Sequence, residues 1–435
     1  MSNLDSLYDG MDETSADHAR AAMEWMLPDG GGLADLTQMK VQQFVWYFLP
    51  AKWLTGAAEH HEIARSLGDL LSAAGLDRYA AICRDPLTHR VIDAYEVSPE
   101  VGRQALREAL DGSGVEPPDS DVLSWGSVMG IDESQARDDV SAMLEAAIVT
   151  GDLVVGGRGW KAQAARLTAA YLELPTTRFG GRTPLEAVRA ERMEQWTRLT
   201  NGPVRQRLFA EVLPLLRKSA VMPEGLADSL APALALLTGV GDGVTLTQAG
   251  YLPKALVVTL NDRFKWYDLS GYKANSEADV IALLELHELL RRARLLTKRG
   301  RKLAVSAAGQ RCLADDERLF AALAVRAMTG DDFDADVAMV RAAHLLTVAG
   351  ETSEKAVDAV VYDAVAERWS TQEGNPPSPR VVRSAGRDWQ RNAKTLGWLQ
   401  EGGDWQNQTL QLTDVGRAAA IIGLQSRAGA PRHQL

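Results

Sequence analysis

The sequence predicts a mostly helical chain of class α+β: a helical bundle domain followed by two or three modules that each end in a small β-hairpin. Three observations carry this. Long stretches place apolar residues at helical spacing, with Ser, Thr or Asp before them and Gly after. In three places such a stretch ends in a small apolar block and then enters a Gly-centred hairpin pattern, at Ala146–Val149, Ala293–Leu296 and Leu396–Leu399. Two of these hairpins end in Val/Leu-Ser/Thr-x-x-Gly, at Val305–Gly309 and Leu412–Gly416, and Leu246–Gly250 repeats the motif. The Ser or Thr is expected to end a strand and cap the next helix.

Composition sets the outer bounds. The chain has 435 residues, 46% of them hydrophobic, enough for roughly three domains with cores of their own. No apolar run approaches the ~20 residues of a membrane helix. The start, MSNLDSLYDGMDETSADH, is acidic and has no basic-then-apolar leader, so a cytoplasmic protein without membrane contact is expected. Two cysteines, Cys83 and Cys312, exclude a disulfide framework. Net charge is −11, but residues 1–150 hold 10 Lys/Arg against 26 Asp/Glu, a net of −16, which leaves +5 for the remainder. That asymmetry suits a protein with one end for nucleic acid and an acidic third for a protein partner or for self-association.

In chain order, residues 1–34 read as an acidic mobile tail. Residues 35–112 read as a helical domain, with a first helix capped by Asp35 and broken at Pro50. Phe44, Trp46, Tyr47, Phe48 and Trp53 crowd that helix. They fit either a buried core helix or a docking surface for another subunit, because aromatics dominate interface hot spots. DGSGVEPPDSD then reads as a linker. Residues 119–175 follow, with a short helix at Val122–Met129, a longer one from Asp132 to about Ala147, and a hairpin over Ile148–Ala162. Residues 176–240 read as a helical spacer. Residues 241–314 have helices at Tyr251–Phe264 and Ser276–Arg294 and a hairpin at Leu295–Val305. Residues 315–375 are helical, and 376–426 form the last module, with a frayed tail after Arg427.

The last module has the clearest pattern. Ser378 and Pro379 open a helix on which Arg380, Arg383, Arg387, Arg391 and Lys394 fall within an arc of roughly 80°. Val381, Val382, Ala385, Trp389, Ala393 and Leu396 lie opposite. A hairpin follows, Gly397–Gln400 and Thr409–Thr413, turning at Glu401–Asp404. A cationic stripe is often only a solvated face. Solvated faces usually mix signs for i,i+4 pairing, and here only Asp388 stands at the edge. The second basic cluster is Arg291, Arg292, Arg294, Lys298, Arg299, Arg301 and Lys302, seven of the twelve residues 291–302, centred on Gly300. A basic hairpin tip can lie along a phosphate backbone.

Helix, hairpin and new helix over 378–423 resemble a winged helix-turn-helix, as do 241–314 and 119–162. The resemblance is to a superfamily and implies a fold of small winged modules, with no activity attached. It also implies that the long helix of each module enters the major groove, with Arg387 and Arg391 at base edges. The 119–162 module is an exception. Asp132, Glu133, Asp138, Asp139 and Glu145 face a single Arg137, so phosphate would be repelled and protein contact is expected there. The segments QQFVWYFLP, HHEIARSLGDLL, GLDRYAAICRDP and LTQAGYLPKAL resemble stretches of actinobacterial proteins, a likeness that implies no activity.

Catalytic patterns are missing from the sequence. Gly156-Gly157-Arg158-Gly159-Trp160-Lys161 lacks phosphate-loop spacing and its final hydroxyl. His60-His61-Glu62 is not a metal motif, since adjacent helical histidines diverge by about 100°. Cys83 and His89 are near in sequence, but a buried cysteine explains the first. No cofactor, metal or catalytic residue is expected. The reading is a non-enzymatic DNA-binding protein. Its rival is an interaction scaffold that uses its winged helices as protein modules.

Overall fold

Side-chain caps and Pro-first turns set where many of the helices begin, and the computed structural model describes residues 4–27, 31–218, 220–267, 274–330, 332–404 and 406–433. The fold is mostly helical with two small three-stranded antiparallel sheets. The chain divides into two units, Met1–Glu191 with Pro431–Leu435, and Arg192–Ala430.

The first unit opens with α1 (Leu4–Tyr8) and α2 (Glu13–Met26). Asp12 caps α2 by accepting from the Ser15 N–H at 3.0 Å. The mobile tail expected over 1–34 is therefore corrected. Ala19, Ala22, Met23 and Met26 make a continuous buried face on α2, and Tyr8 at the end of α1 joins the same apolar cluster. Residues 28–30, part of that expected tail, lie outside the described residues. The next helix is α3 (Gln38–Gln43), capped by Thr37 rather than Asp35. It widens into a π turn over Phe44–Phe48 and continues as α4 (Leu49–Lys52). The Leu49 N–H bonds back to the Phe44 carbonyl, five residues away. The expected break at Pro50 does not occur, since the wide turn leaves room for a residue without an N–H.

Phe44 and Trp46 are buried, Phe48 and Trp53 pack against the same cluster, and Trp46 Nε1 donates to Thr88 Oγ1 at 2.7 Å. Only Tyr47 of the five aromatics is left half-buried outside that packing, beneath Lys52. This stretch is core, not the docking surface it could have been. α5 (Ala57–Ala73), α6 (Asp77–Arg84), α7 (Pro86–Val97) and α8 (Pro99–Ser113) complete the bundle.

α9 (Ile131–Thr150) and α10 (Trp160–Leu172) belong to a separate apolar cluster. The helix expected at Val122–Met129 and the hairpin expected at Ile148–Ala162 are both absent. Ile148, Val149 and Thr150 finish α9, Gly151 ends it at φ +81°, and Leu153 bonds back to the Ala147 carbonyl and is buried. The chain tucks inward there, so no strand forms. The acidic face of α9 is used within its own unit. Glu145 accepts from the Gln38 N–H at the start of α3 and from Tyr79 Oη, both at 2.7 Å. A carboxylate at a helix N-terminus is favourable. Burial, with that Glu145 bond, pushes the Tyr79 hydroxyl well up. The tail expected to fray is anchored: the Val128 N–H donates to the Arg432 carbonyl at 3.1 Å. α11 (Pro184–Arg198) contains the boundary between units.

The second unit runs α12 (Pro203–Leu216), α13 (Leu226–Val240), β1 (Val244–Thr245), α14 (Lys254–Phe264), α15 (Ile281–Arg292), β2 (Leu296–Arg299), β3 (Lys302–Val305), α16 (Ala307–Leu313) and α17 (Asp316–Met328). It continues with α18 (Phe333–Thr347), β4 (Thr352–Ser353), α19 (Glu354–Ala366), α20 (Pro379–Thr395), β5 (Leu399–Gly402), β6 (Thr409–Leu412) and α21 (Asp414–Ala428). The order helix, strand, helix, helix, two strands, helix occurs twice, as α13 to α16 and as α18 to α21. The sheets match: β1-β3-β2 and β4-β6-β5, with Leu296 opposite Val305 and Leu399 opposite Leu412.

One apolar cluster runs from Met193 to Ala428. It takes in Phe209, Val212, Leu236 and Leu237, so much of the 176–240 stretch read as a spacer is core instead. The helix expected over Ser276–Arg294 is a capped 3-10 turn followed by α15.

The short repeated motif does the same work in both halves. Ser306 Oγ accepts from the Gly309 N–H at 3.0 Å and donates to the Arg294 carbonyl at 2.7 Å. Thr413 Oγ1 accepts from Gly416 at 3.0 Å and donates to the Gly397 carbonyl at 2.7 Å. The glycine is a close-approach residue: a Cβ at 309 would lie 2.3 Å from the Leu295 carbonyl oxygen, and one at 416 would lie 1.8 Å from that of Trp398. The third copy differs. Thr247 and Gly250 form a turn, and α14 begins only at Lys254.

Candidate nucleic-acid interface

α20 forms as its sequence requires. Ser378 caps it, Pro379 opens it, and Val382, Ala385, Trp389 and Ala393 are buried. Val381, placed on the apolar face, is 50% exposed. The cations project from the opposite side, but three of the five are bonded to carboxylates of the same unit. Arg383 Nε meets Asp358 Oδ2 on α19 at 2.8 Å. Arg391 reaches Glu285 on α15 at 2.7 Å and Asp388 at 2.8 Å. Lys394 Nζ is 2.5 Å from Glu401 on β5. Arg380 and Arg387 have no ion pair among the described residues. The stripe is thus largely neutralised, and its mid-stripe residue Arg391 is half-buried between helices. α15 and α20, the helix before the hairpin in each half, pack against each other.

Behind α20 lies a polar network that no sequence pattern announced. Arg341 on α18, 1% exposed, donates to Asp358 and, at 2.5 Å, to Gln390 Oε1. Gln390 Nε2 in turn donates to Glu354 at 3.2 Å and Glu401 at 3.0 Å. Burial pushes Glu285 up to about 7 even though Arg391, the next largest influence, pulls it down.

The β2–β3 hairpin is different. Its two-residue loop has Gly300 at φ +60°, the conformation a tight hairpin asks of glycine at the first loop position. Lys298, Arg299 and Lys302 are exposed and have no ion pair among the described residues, and the same holds for Arg294 just before β2. Arg299 and Lys302 pair across the strands and so share one face. Arg301 is committed to structure: Nε and Nη2 both donate to the Leu246 carbonyl, at 2.9 and 2.7 Å, and the Leu246 N–H returns a bond to the Arg301 carbonyl. Arg291 pairs with Glu288 at 3.0 Å. Arg292 has no partner within ion-pair distance among the described residues but lies in the field of Glu285 and Asp334.

The side chains singled out for chemistry have other partners. Cys83 is buried, which pushes its thiol up to about 12. His89 Nδ1 meets His61 Nδ1 at 2.7 Å, not Cys83, and His61 Nε2 is 2.8 Å from Asp93. Burial lowers the pKa of His60. Among the described residues no group of His, Cys, Asp and Glu could hold a metal ion, and no helix is long and apolar enough to cross a membrane. Comparison of the chain with protein-family models, curated proteins and solved structures gave no match.

Proposed function

We propose that the chain is a non-enzymatic nucleic-acid-binding protein that meets the phosphate backbone with the β2–β3 hairpin. The observation that supports this is a group of four exposed cations without ion pairs among the described residues on one hairpin, Lys298, Arg299 and Lys302 at its tip and Arg294 at its base. Each such cation that meets a phosphate releases counterions condensed on the nucleic acid, which favours binding. In this reading both halves of the second unit are winged helix-turn-helix modules, since helix, strand, helix, helix and hairpin follow in that order. The base-reading role expected of Arg387 and Arg391 is set aside, because Arg391 is paired with Glu285 and Asp388 and Arg387, though exposed, is left without the charged stripe that was to flank it. Contact is then to backbone, and the binding is insensitive to sequence.

The test is fluorescence anisotropy on a mixed-sequence duplex at three salt concentrations. Four neutralised phosphates give a slope of log affinity against log salt of about −3.6. Lys298→Glu with Lys302→Glu should flatten it by about 2, and Arg387→Glu should change it little. A slope near zero in the unmodified protein removes this reading.

The second reading, an interaction scaffold, is favoured by the packing of α15 on α20 and the Arg391–Glu285 pair, which occupy the surfaces a DNA reader would expose. A partner that co-purifies regardless of the hairpin charges would support it.

A further inference from the structure

An open cleft of about 260 Å³ lies among α18, α19 and the first turns of α20. Its charged lining is unbalanced. Arg341, Lys355 and Arg383 bring three positive charges against the one carboxylate of Asp358. Asp358 is shared, taking a bond from Arg341 Nη2 and one from Arg383 Nε. Arg341 is locked from behind. Gln390 accepts from it, and Gly386 leaves it room, since a Cβ there would stand 3.1 Å from its Nε.

Arg383 uses only Nε on Asp358. Its two Nη groups, like Lys355 Nζ, have no partner among the described residues, and both residues are exposed at the mouth. The remaining wall is apolar, with Tyr362, Pro379 and Val382 facing the same space.

We propose that this cleft binds a small aromatic monocarboxylate. The ring lies against Tyr362, Pro379 and Val382, and the carboxylate takes the donors of Arg383 and Lys355 that Asp358 leaves unused. Size favours one or two rings, since an apolar cavity of about 150 Å³ already accepts benzene. Charge favours an anion, because Arg341, Lys355 and Arg383 outnumber Asp358 and the neighbouring Glu354, whose charge also acts on Arg341. A bare phosphate would satisfy the donors and leave the apolar wall wet. The site is independent of the β2–β3 hairpin, and its test does not involve nucleic acid.

The experiment is isothermal titration calorimetry of the full chain with phenylacetate, with phenylacetamide and inorganic phosphate as comparisons. Phenylacetate should saturate with a dissociation constant on the order of 0.1–1 mM, as its ten or so heavy atoms allow. Phenylacetamide should bind about tenfold more weakly or not at all, and phosphate should not compete. Lys355→Gln with Arg383→Gln, both exposed and so tolerable to the fold, should weaken phenylacetate by about tenfold or more. Arg387→Gln, on the same helix but outside the cleft, should leave it unchanged. The proposal is overturned by no saturable heat up to about 10 mM, by phosphate binding as tightly as phenylacetate, or by binding that survives the double substitution.

Discussion

Arg391 on α20 reaches across to Glu285 on α15, Nε to Oε1, at 2.7 Å. The pair joins the two halves of the second unit at the helices that precede their hairpins, yet burial still holds Glu285 at about 7, above its ordinary 4.5. A carboxyl raised in this way binds a proton more tightly in the folded chain than in the unfolded one. Its contribution to stability is complete below pH 4.5 and is lost as pH rises through 7. Urea midpoints should therefore fall between pH 5 and 8, by an amount worth about 1–2 kcal/mol from this group. Glu285→Gln, which cannot ionise, should flatten that part of the profile. An unchanged slope in the variant would show that the pH response comes from elsewhere.

Gly416 and Gly309 invert the usual helix rule. An alanine in place of a helical glycine normally stabilises by about 1 kcal/mol. Here the new methyl meets the carbonyl of Trp398 or Leu295 head on. Gly416→Ala and Gly309→Ala should each destabilise by about 2–4 kcal/mol in chemical denaturation, with the larger loss at 416. A gain in either would mean the strand can retreat.

Arg205 and Asp336 form a fully buried two-pronged ion pair, 2.8 Å at each contact, and Trp369 Nε1 adds a third bond to Asp336 at 2.9 Å. Removing one partner strands the other charge. Asp336→Asn should cost about 3–5 kcal/mol, whereas Arg205→Met with Asp336→Leu should cost much less than twice that. Thermal unfolding of the three proteins compares them directly.

Arg301 separates structure from binding on the hairpin. Arg301→Ala loses both bonds to the Leu246 carbonyl and should cost about 1–2 kcal/mol of stability. It should leave the salt dependence of the proposed nucleic-acid binding almost as it was, because this guanidinium already has its acceptor.

Much of the second unit was legible because its signals are local. Ser378-Pro379, the spacing of Val382, Ala385, Trp389 and Ala393, and the Ser306 and Thr413 caps each act within a few residues. Those elements formed where expected, with the last strand pair shifted to Leu399–Gly402 and Thr409–Leu412. The hairpin read over Ile148–Ala162 misled because its first three residues belong to α9 and no strand stood ready to pair with the rest. The stripe on α20 misled for a different reason. Its partners Asp358 and Glu285 lie on other helices, and nothing in the spacing of Arg383 or Arg391 points to them. Gly386 carried a usable signal, a glycine in mid-helix, which marks the place where Arg341 crosses.

The apolar cluster that runs unbroken from Met193 to Ala428 has a practical consequence for anyone dissecting this chain. The two repeats of the second unit are topological copies without being separable modules. A cut near α17 would open a wide greasy seam on each half, and the pieces should come out of expression insoluble or molten. Fragments meant for crystallography or for fusion should carry 192–430 whole.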